Sequence, residues 1–184
     1  MEMILLKIEV LKVGELRCNC YLLDIDGNIL VIDPGDECLK IINKIGNRKV
    51  CGIVITHHHF DHDGAVLEII NKYGCMVYDR FNLSEGENKI DKFIFDVIYT
   101  PGHKEDLITL YFKNDKVMFC GDFIFKDSIG RCDLPGSSIS LMVNSIEKIK
   151  KYDRDIVIYP GHGDKTTLGY EIDNNIYFKD IDYL

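Results

Sequence analysis

The chain has 184 residues, a length that suits one domain, and its 46% hydrophobic and 28% charged residues are typical of a globular protein. The 22 lysines and arginines against 30 acidic residues give a formal net charge of -8, which argues against a nucleic-acid-binding protein because neutralising phosphates needs a basic patch. No signal-peptide pattern is visible, no apolar run approaches the roughly 20 residues that span a bilayer, and the cysteines are odd in number, so we expect a cytoplasmic protein with reduced thiols and no membrane partner.

Short runs rich in Ile, Val, Phe and Tyr, each bounded by Gly, Asn, Asp or Pro, predict β-strands. In chain order these runs are Met3–Val10, Tyr21–Ile25, Ile29–Ile32, Cys51–Ile55, Met76–Tyr78, Phe93–Tyr99, Leu107–Phe112, Val117–Cys120 and Ile156–Tyr159. Asp26-Gly27-Asn28 predicts a tight hairpin turn between the second and third runs, and Asn114-Asp115 predicts another turn.

Three segments have apolar residues near helical spacing, and the first two are followed by a glycine that predicts the helix end. The predicted helices are Glu37 to Ile45, Ala65 to Tyr73 and Ser138 to Tyr152. No linker or low-complexity tract divides the chain, so we expect one domain over residues 1–184. Strands that come early and late, with helices between them, indicate the α/β class with stacked sheets covered by helices.

The histidines fall in a pattern that indicates metal binding. Four of the six lie within Thr56-His57-His58-His59-Phe60-Asp61-His62, and His103 and His162 each follow a Pro-Gly turn after a predicted strand. Asp122 follows Gly121 at the end of another strand. If these strands run in the same sense, their ends place all of these side chains at one rim.

Spacing divides the ligands of this cluster. His57 and His59 are two residues apart, so both lie on the same side of an extended segment while His58 points away. Asp61 and His62 are adjacent and point in different directions, which suits a second ion. With the residues at the other strand ends, the set offers five imidazoles and two carboxylates. One tetrahedral zinc uses fewer ligands than that, so the sequence predicts a two-metal site.

Other polar residues have two interpretations each. Cys18 and Cys20 are either metal ligands or, as their lack of partner ligands favours, small buried residues. Asp33 is either a turn residue or a hydrogen-bond partner of a ligand histidine. Arg131 either meets a substrate carboxylate in a bidentate manner or pairs with Asp133.

The segment Thr56–His62 is the HxHxDH signature, and over nearly its whole length the chain resembles the metallo-β-lactamase-fold hydrolases, in particular their short glyoxalase II-like (hydroxyacylglutathione hydrolase-like) branch. The other segments that carry the resemblance are Asn19-Cys20-Tyr21, Asp33-Pro34-Gly35, Thr100-Pro101-Gly102-His103, Gly121-Asp122, Gly130-Arg131-Cys132-Asp133-Leu134-Pro135-Gly136 and Tyr159-Pro160-Gly161-His162-Gly163. The resemblance implies an αβ/βα four-layer sandwich, in which two mixed β-sheets are flanked by helices and the metals lie at one edge between the sheets.

The resemblance also implies the role of each ligand. The ligands of the first ion are His57, His59 and His103, those of the second are Asp61, His62 and His162, and the bridging ligand is Asp122. The implied cofactors are two divalent metal ions. Zinc is the expected metal, and iron and manganese are the alternatives.

The sequence departs from the family in two ways. Relatives commonly read Thr-Pro-Gly-Ser after the third metal motif, where this chain has Lys104-Glu105-Asp106-Leu107. Full glyoxalase II proteins carry a C-terminal helical domain that contacts glutathione, whereas this sequence continues for 22 residues beyond His162. We therefore do not carry over a specificity for glutathione thioesters.

The implied site suits hydrolysis of a small acyl compound. Two cations that share a water molecule lower its pKa toward neutrality, which gives a hydroxide that attacks a carbonyl polarised by the first ion. Asp122 and Asp61 are the expected catalytic residues: Asp122 holds the ions apart, and Asp61 orients the hydroxide and takes its proton. A thiolate leaves without a proton donor because the thiol pKa is about 8.5, so a thioester or related ester is the predicted small-molecule substrate.

Two other functions are compatible with part of this pattern. A persulfide dioxygenase-like oxidoreductase resembles the same signature but uses a single iron, so it has no need of Asp61, His62 and His162 as ligands. The complete second ligand set disfavours it. A non-enzymatic metal-dependent binding domain has no need of an open position for a reacting water, which disfavours that alternative as well.

Overall fold

Residues 6–179 are described by a computed structural model, in which two β-sheets pack face to face beneath outer helices. The strands in this range are β1 (Lys7–Val13), β2 (Cys18–Ile25), β3 (Asn28–Ile32), β4 (Lys49–Val54), β5 (Val77–Tyr78), β6 (Gly86–Ile90), β7 (Phe93–Tyr99), β8 (Ile108–Phe112), β9 (Val117–Gly121), β10 (Ile124–Phe125), β11 (Ser128–Ile129), β12 (Val157–Pro160) and β13 (Thr166–Thr167). The helices are α1 (Cys38–Ile45), α2 (Phe60–Asp63), α3 (Val66–Tyr73), α4 (Ile139–Ile149), α5 (Leu168–Asn174) and α6 (Ile176–Lys179).

Each sheet is built from one continuous part of the chain. The first has the strand order β1-β2-β3-β4-β5, and the second has the order β13-β12-β9-β8-β7-β6. Both are mixed sheets, because β3 pairs parallel with β4 and β9 pairs parallel with β12, while β2 with β3 and β8 with β9 pair antiparallel. The prediction of two mixed sheets is confirmed.

Side chains along the strands alternate between two apolar layers, as the pleat of a strand dictates. In β2, Tyr21 and Leu23 face the core between the sheets, whereas Cys20 and Leu22 face the outer side, where α1 adds Ile41. Helix α4 covers the outer face of the second sheet in the same way. Because both faces of each sheet are buried, the layers run helix, sheet, sheet, helix, which confirms the predicted αβ/βα sandwich.

The predicted turns and helices agree with the structure. Asp26 and Gly27 join β2 to β3 with φ values of 51° and 76°, the left-handed geometry of a two-residue hairpin turn. The predicted helices correspond to α1, α3 and α4. The first predicted strand differs: its residues 3–5 lie outside the described range, and β1 continues to Val13.

Several short elements escaped prediction because their signal is weak. Strand β6 reads GENKI, and Ile90 is its buried residue. Helix α5 has seven residues and α6 has four, fewer than the roughly ten over which helical periodicity can be read. Within residues 6–179, no helix is long and apolar enough to cross a lipid bilayer. All seven cysteines lie in this range and are free.

Candidate metal centre

The predicted ligands follow four strands and meet at one rim of the sandwich. Strands β7 and β9 both run antiparallel to β8, and β12 runs parallel to β9, so the three end on the same side. They are followed by His103, Asp122 and His162, respectively. The remaining ligands come from the first sheet, where β4 leads into an extended stretch with His57 and His59 and then into helix α2.

The first ligand group consists of three imidazoles. Nδ1 of His59 lies 3.1 Å from Nε2 of His57 and 3.1 Å from Nε2 of His103. All three nitrogens lie within 4.8 Å of one another, close enough for one ion to contact them together. The structure thus brings together the residues expected to hold the first metal.

The second group joins two histidines to two carboxylates. Nε2 of His162 lies 3.1 Å from Oδ2 of Asp61, and Nε2 of His62 lies 3.3 Å from Oδ1 of Asp122 and 3.8 Å from Oδ2 of Asp61. Asp122 also reaches the first group, because its Oδ2 lies 3.6 Å from Nε2 of His103. Its position between the groups is the one expected of a bridging ligand.

Two buried atoms at this junction test whether a cation fits. Nε2 of His62 and Oδ1 of Asp122 are buried and have no hydrogen-bond partner among the described residues. Buried polar atoms are nearly always paired, and a divalent cation pairs a nitrogen and a carboxylate oxygen at once. A Cβ atom on Gly161 would lie 2.2 Å from Oδ1 of Asp122, so the glycine keeps this space open. Nitrogen and oxygen donors of this kind suit zinc, iron and manganese.

The electrostatics of the metal-free protein favour a cation in the first group. Burial, followed by the charges of the neighbouring histidines, lowers the pKa of His57 well below its usual value. Burial and the charge of His103 also lower the pKa of His59. Both imidazoles are therefore neutral near pH 7 and keep a lone pair for a metal.

The second group is held by charge pairing. Burial lowers the pKa of His62, but the charge and hydrogen bond of Asp33 and the nearby carboxylate of Asp122 raise it well above its usual value. Burial raises the pKa of the Asp122 carboxyl, but the nearby positive charge of His62 outweighs it and lowers that pKa. A metal ion at this position would take over the role of the proton on His62.

Asp33 has both of the roles that the sequence left open for it: it hydrogen-bonds to His62, a predicted ligand, and it lies in a turn. Its Oδ2 accepts hydrogen bonds from Nδ1 of His62 at 2.9 Å and Oγ1 of Thr56 at 2.7 Å, and its Oδ1 accepts one from the Thr56 backbone N–H at 2.7 Å. With Nδ1 engaged in this way, Nε2 of His62 is left to face the metal position. Asp33 also adopts a left-handed φ of 49°, so it serves the turn as well.

The other ligand histidines are oriented by backbone carbonyls. Nδ1 of His103 donates to the carbonyl of Arg131 at 2.8 Å, and Nδ1 of His162 donates to the carbonyl of Leu16 at 3.0 Å. The Leu16 carbonyl lies in the turn between β1 and β2, so both sheets support His162. These carbonyl partners have no side-chain signature and could not be found in the sequence.

Asp106 and Asn19 support the loops that carry the predicted ligands. The sequence alone did not indicate this role for either residue. Oδ2 of the buried Asp106 accepts a hydrogen bond at 3.0 Å from the backbone N–H of His58. Nδ2 of Asn19 donates at 3.0 Å to the carbonyls of both Pro160 and Gly163, which bracket the last ligand. Asp106 lies in the segment where the chain departs from its family, and Asn19 lies in a segment that carried the resemblance.

The remaining predictions near the centre concern His58 and the cysteines. His58 points away from the ligands, with Nδ1 3.0 Å from Asp63 and Nε2 3.3 Å from Asp79. Cys18 and Cys20 are both fully buried. Sγ of Cys18 lies 3.6 Å from Nδ1 of His62, and burial raises the pKa of this thiol to about 11. Cys18, His62 and His162 lie close enough together to hold an ion, so the geometry permits a ligand role for Cys18 as well as a buried one.

Five of the seven predicted ligands line an open cleft of about 420 Å³, referred to below as the metal cleft. Its lining residues are Leu16, His59, Phe60, Asp61, His103, Asp122, Arg131, Leu134 and His162. The Arg131 guanidinium forms a fork with Asp133, with N–O distances of 2.6 and 2.7 Å. Of its two interpretations, the pairing with Asp133 is the arrangement in the structure, and Arg131 still borders the cleft.

This fold and this centre are those of a metal-dependent hydrolase, and the family follows from comparison with known proteins. The model of the Metallo-beta-lactamase superfamily matches residues 13–80 and 77–162, and the chain belongs to that superfamily. It is similar to the hydroxyacylglutathione hydrolase GloC of Haemophilus influenzae, with 31% identity over 92% of this chain and 97% of the relative.

Two solved structures are similar over almost the whole chain. BLEG-1 B3 metallo-beta-lactamase has a TM-score of 0.91 at 28% identity, covering 95% of this chain and 100% of that one. TTHA1623, solved in a di-iron-bound form, has a TM-score of 0.85 at 28% identity, covering 92% of this chain and 99% of that one. The first is named for a lactamase and the name of the second states a di-iron-bound form but no activity, so the two comparisons show the fold and not the substrate.

Proposed function

We propose that the protein hydrolyses a thioester or a related small acyl ester at a dinuclear metal centre. The observation that carries the proposal is the position of Asp122, whose two carboxylate oxygens lie 3.3 Å from His62 and 3.6 Å from His103. A single carboxylate that reaches both ligand groups is suited to bridging two ions. The similarity to GloC supports the thioester as the substrate class.

The chain offers a complete ligand set for two divalent ions, with zinc as our assignment. The first ion would be held by His57, His59 and His103, the second by Asp61, His62 and His162, and both by Asp122. When bound, the ions supply a water molecule of near-neutral pKa and a Lewis acid for the carbonyl oxygen.

We assign Asp61 to proton transfer. Partial burial raises the pKa of its carboxyl, but the hydrogen bond from His162 and the charge of His62 lower the pKa by more than burial raises it. The carboxyl group of Asp61 is therefore ionised at neutral pH. Its side chain lines the metal cleft beside the ligands. An ionised carboxylate there can orient a water molecule and accept its proton.

The lining of the metal cleft favours a thiolate as the leaving group. None of its nine residues is a lysine, tyrosine or cysteine that could protonate an amine as it departs. A thiolate needs no such donor because it is stable near neutral pH. A thioester therefore suits this cleft better than an amide.

We assign Arg131 to a carboxylate or hydroxyl on the acyl part of the substrate. Its pairing with Asp133 is exposed, with 63% and 66% of the two side chains accessible. Exposed ion pairs contribute little to stability, so a substrate carboxylate can replace Asp133. We also propose a cytoplasmic location and no nucleic-acid or membrane partner, in line with the net charge of -8 and the unpaired cysteines.

Elemental analysis of the untagged protein, followed by a thioester panel, tests the proposal. We expect about two ions per chain and hydrolysis of short acyl thioesters followed by thiol release. One iron per chain, with oxygen uptake on a persulfide and no thioester cleavage, would contradict the proposal and support the dioxygenase alternative.

A further inference from the structure

A second cavity opens directly beside the metal cleft, and we call it the acidic lobe. Its volume is about 510 Å³, and its lining residues are Val13, Gly14, Glu15, Leu16, Gly35, Asp36, Phe60, Asp61 and Gly64. Leu16, Phe60 and Asp61 line the metal cleft as well, so the two cavities are adjacent and meet at Asp61; together they are called the groove below. A substrate whose reacting carbon lies at the metals can therefore extend into the acidic lobe.

The part of the acidic lobe that lies outside the metal ligands carries negative charge. Glu15 and Asp36 are acidic and are not predicted ligands, and none of the nine lining residues is a lysine, arginine or histidine. Among the neighbouring cations, Lys40 pairs with Glu37 at 3.0 Å and Lys12 lies 3.8 Å from Asp164, while the exposed Arg17 follows Leu16 but does not line the lobe. A negative potential in a concave site attracts cations and repels anions.

The wall shared by the two cavities is apolar and well anchored. Phe60 is 76% exposed and Leu16 is 55% exposed, so both offer apolar surface to a ligand. The turn that carries Leu16 is held at both ends, because the Gly14 N–H donates to Glu37 at 3.1 Å and His162 donates to the Leu16 carbonyl. The groove is therefore a preformed site with apolar sides and acidic residues at one end.

We propose that the acidic lobe binds the thiol portion of the thioester and selects neutral or cationic thiols over anionic ones. This inference rests on the proposed function and specifies its substrate class. If Arg131, which lines the metal cleft but not the acidic lobe, meets the acyl group, the thiol can extend past Asp61 toward Glu15 and Asp36. Thiols that carry several phosphates or carboxylates would be repelled there.

A series of acetyl thioesters that differ only in the charge of the thiol tests the proposal with the metal-loaded protein. The cationic member is acetylthiocholine, the neutral member is its 3,3-dimethylbutyl isostere, and the anionic member is the thioester of 3-mercaptopropionate. We expect kcat/KM to be at least about tenfold higher for the cation than for the anion, with the neutral isostere between them. Equal values, or a preference for the anion, would overturn the proposal.

Matched variants locate the source of this preference. Glu15→Gln combined with Asp36→Asn should reduce the cation-to-anion ratio of kcat/KM by at least about fivefold, because both charges of the lobe outside the metal ligands are removed. Glu68→Gln removes an equally exposed carboxylate on α3 and should leave the ratio unchanged. If the double variant keeps the ratio of the native protein, the acidic lobe does not bind the thiol.

Failure of this inference can be told apart from failure of the proposed function. Calorimetric binding of the non-hydrolysable thioether analogues of the same three compounds does not depend on turnover. If no thioester is cleaved but the cationic thioether binds best and loses this advantage in the double variant, the preference of the lobe stands and the hydrolase assignment fails. If thioesters are cleaved and the double variant alters the preference for acyl charge instead, the orientation is reversed and this inference is overturned.

Discussion

Asp122 is the residue on which a dinuclear centre depends, because among the described residues it is the carboxylate that lies beside histidines of both ligand groups. We expect Asp122→Ala to bind about one ion fewer per chain and to lose activity by at least about 100-fold, since no other carboxylate there can hold two ions together. Elemental analysis and thioester turnover measure both effects. His58→Ala is the matched control, because this side chain faces Asp63 and Asp79 and should not affect metal content. Full stoichiometry with normal turnover in Asp122→Ala would contradict the bridging role.

Asp106 is a buried carboxylate that fixes the backbone of the segment carrying His57 and His59. It accepts the His58 N–H between two predicted ligands, so Asp106→Ala would leave that partly buried donor without this partner, at a cost of about 1 kcal/mol. We expect this variant to bind metal roughly tenfold more weakly in competition with a chelator. Asp106→Asn keeps an acceptor oxygen and should lose less. Glu105→Ala, at an exposed neighbour, serves as the control, and equal metal affinity in Asp106→Ala would refute the role.

At the scale of elements, Arg48 joins a helix end to two strands. Its guanidinium donates to Glu9 of β1 at 2.8 Å and to Asp24 of β2 at 2.9 Å. It also donates to the carbonyls of Lys44 and Ile45, at 2.6 and 2.9 Å, where α1 ends and leaves its last carbonyls unpaired. The residue therefore stabilises α1 and positions it against the first sheet.

The pairing of Arg48 gives the stability of the protein a predictable pH dependence. The hydrogen bonds from Lys44 and Arg48 lower the pKa of Glu9, and burial of Asp24 raises its pKa less than the hydrogen bonds from Arg48 and the Gly27 backbone lower it. A carboxyl whose pKa is lowered by folding adds stability above its unfolded pKa, and that stability is lost as the pH falls through the folded value.

We therefore expect Arg48→Met to reduce the free energy of unfolding by about 1–2 kcal/mol near neutral pH. The difference from the native protein should shrink below about pH 4, where both carboxyls become protonated. Urea unfolding at the two pH values measures it. Lys92→Met is the control: it removes a cation whose ion pair with Asp26 is more exposed, and this variant should reduce the free energy of unfolding by less. A difference that stays constant with pH would mean that the helix-end contacts alone matter.

The strands and the candidate ligands could be predicted from the sequence, whereas the hydrogen bonds that support them could not. Strands such as β3 and β9 were predictable because Ile, Val and Phe fill them on both faces. The candidate ligands could be picked out because the spacing of their histidines and aspartates is typical of a metal site. The carboxylate of Asp106 and the carbonyl of Leu16 could not, because a supporting hydrogen bond across the fold depends on tertiary distance and has no fixed spacing. The placement of Arg131 was equally open, since either partner suits its chemistry.

For the whole molecule, the metal ions should act as a clamp between the two sheets. The predicted ligands of each ion include residues that follow strands of the first sheet and residues that follow strands of the second. The unfolded chain does not hold these residues together. A ligand that binds only the folded state adds about 4 kcal/mol when its concentration is a thousandfold above Kd. For a chain of this size, we expect chelation to lower Tm by on the order of 10 °C.

Differential scanning calorimetry of the loaded and the chelated protein measures this shift, with metal content checked in both samples. Asp122→Ala should show a smaller shift, because it has less metal to lose. An unchanged Tm after verified removal of the metal would mean that the sheets are held together without help from the centre.

The separation of the two sheets along the chain has a consequence for a polypeptide that is cut. A break within residues 79–85 would leave the strands of each sheet intact but divide the ligands, with four on the N-terminal piece and three on the C-terminal piece. Each piece alone holds an incomplete set, so neither should retain the ions as the intact chain does. Added zinc would then favour the reunion of the pieces, and recovered hydrolysis would report that the two halves had found each other.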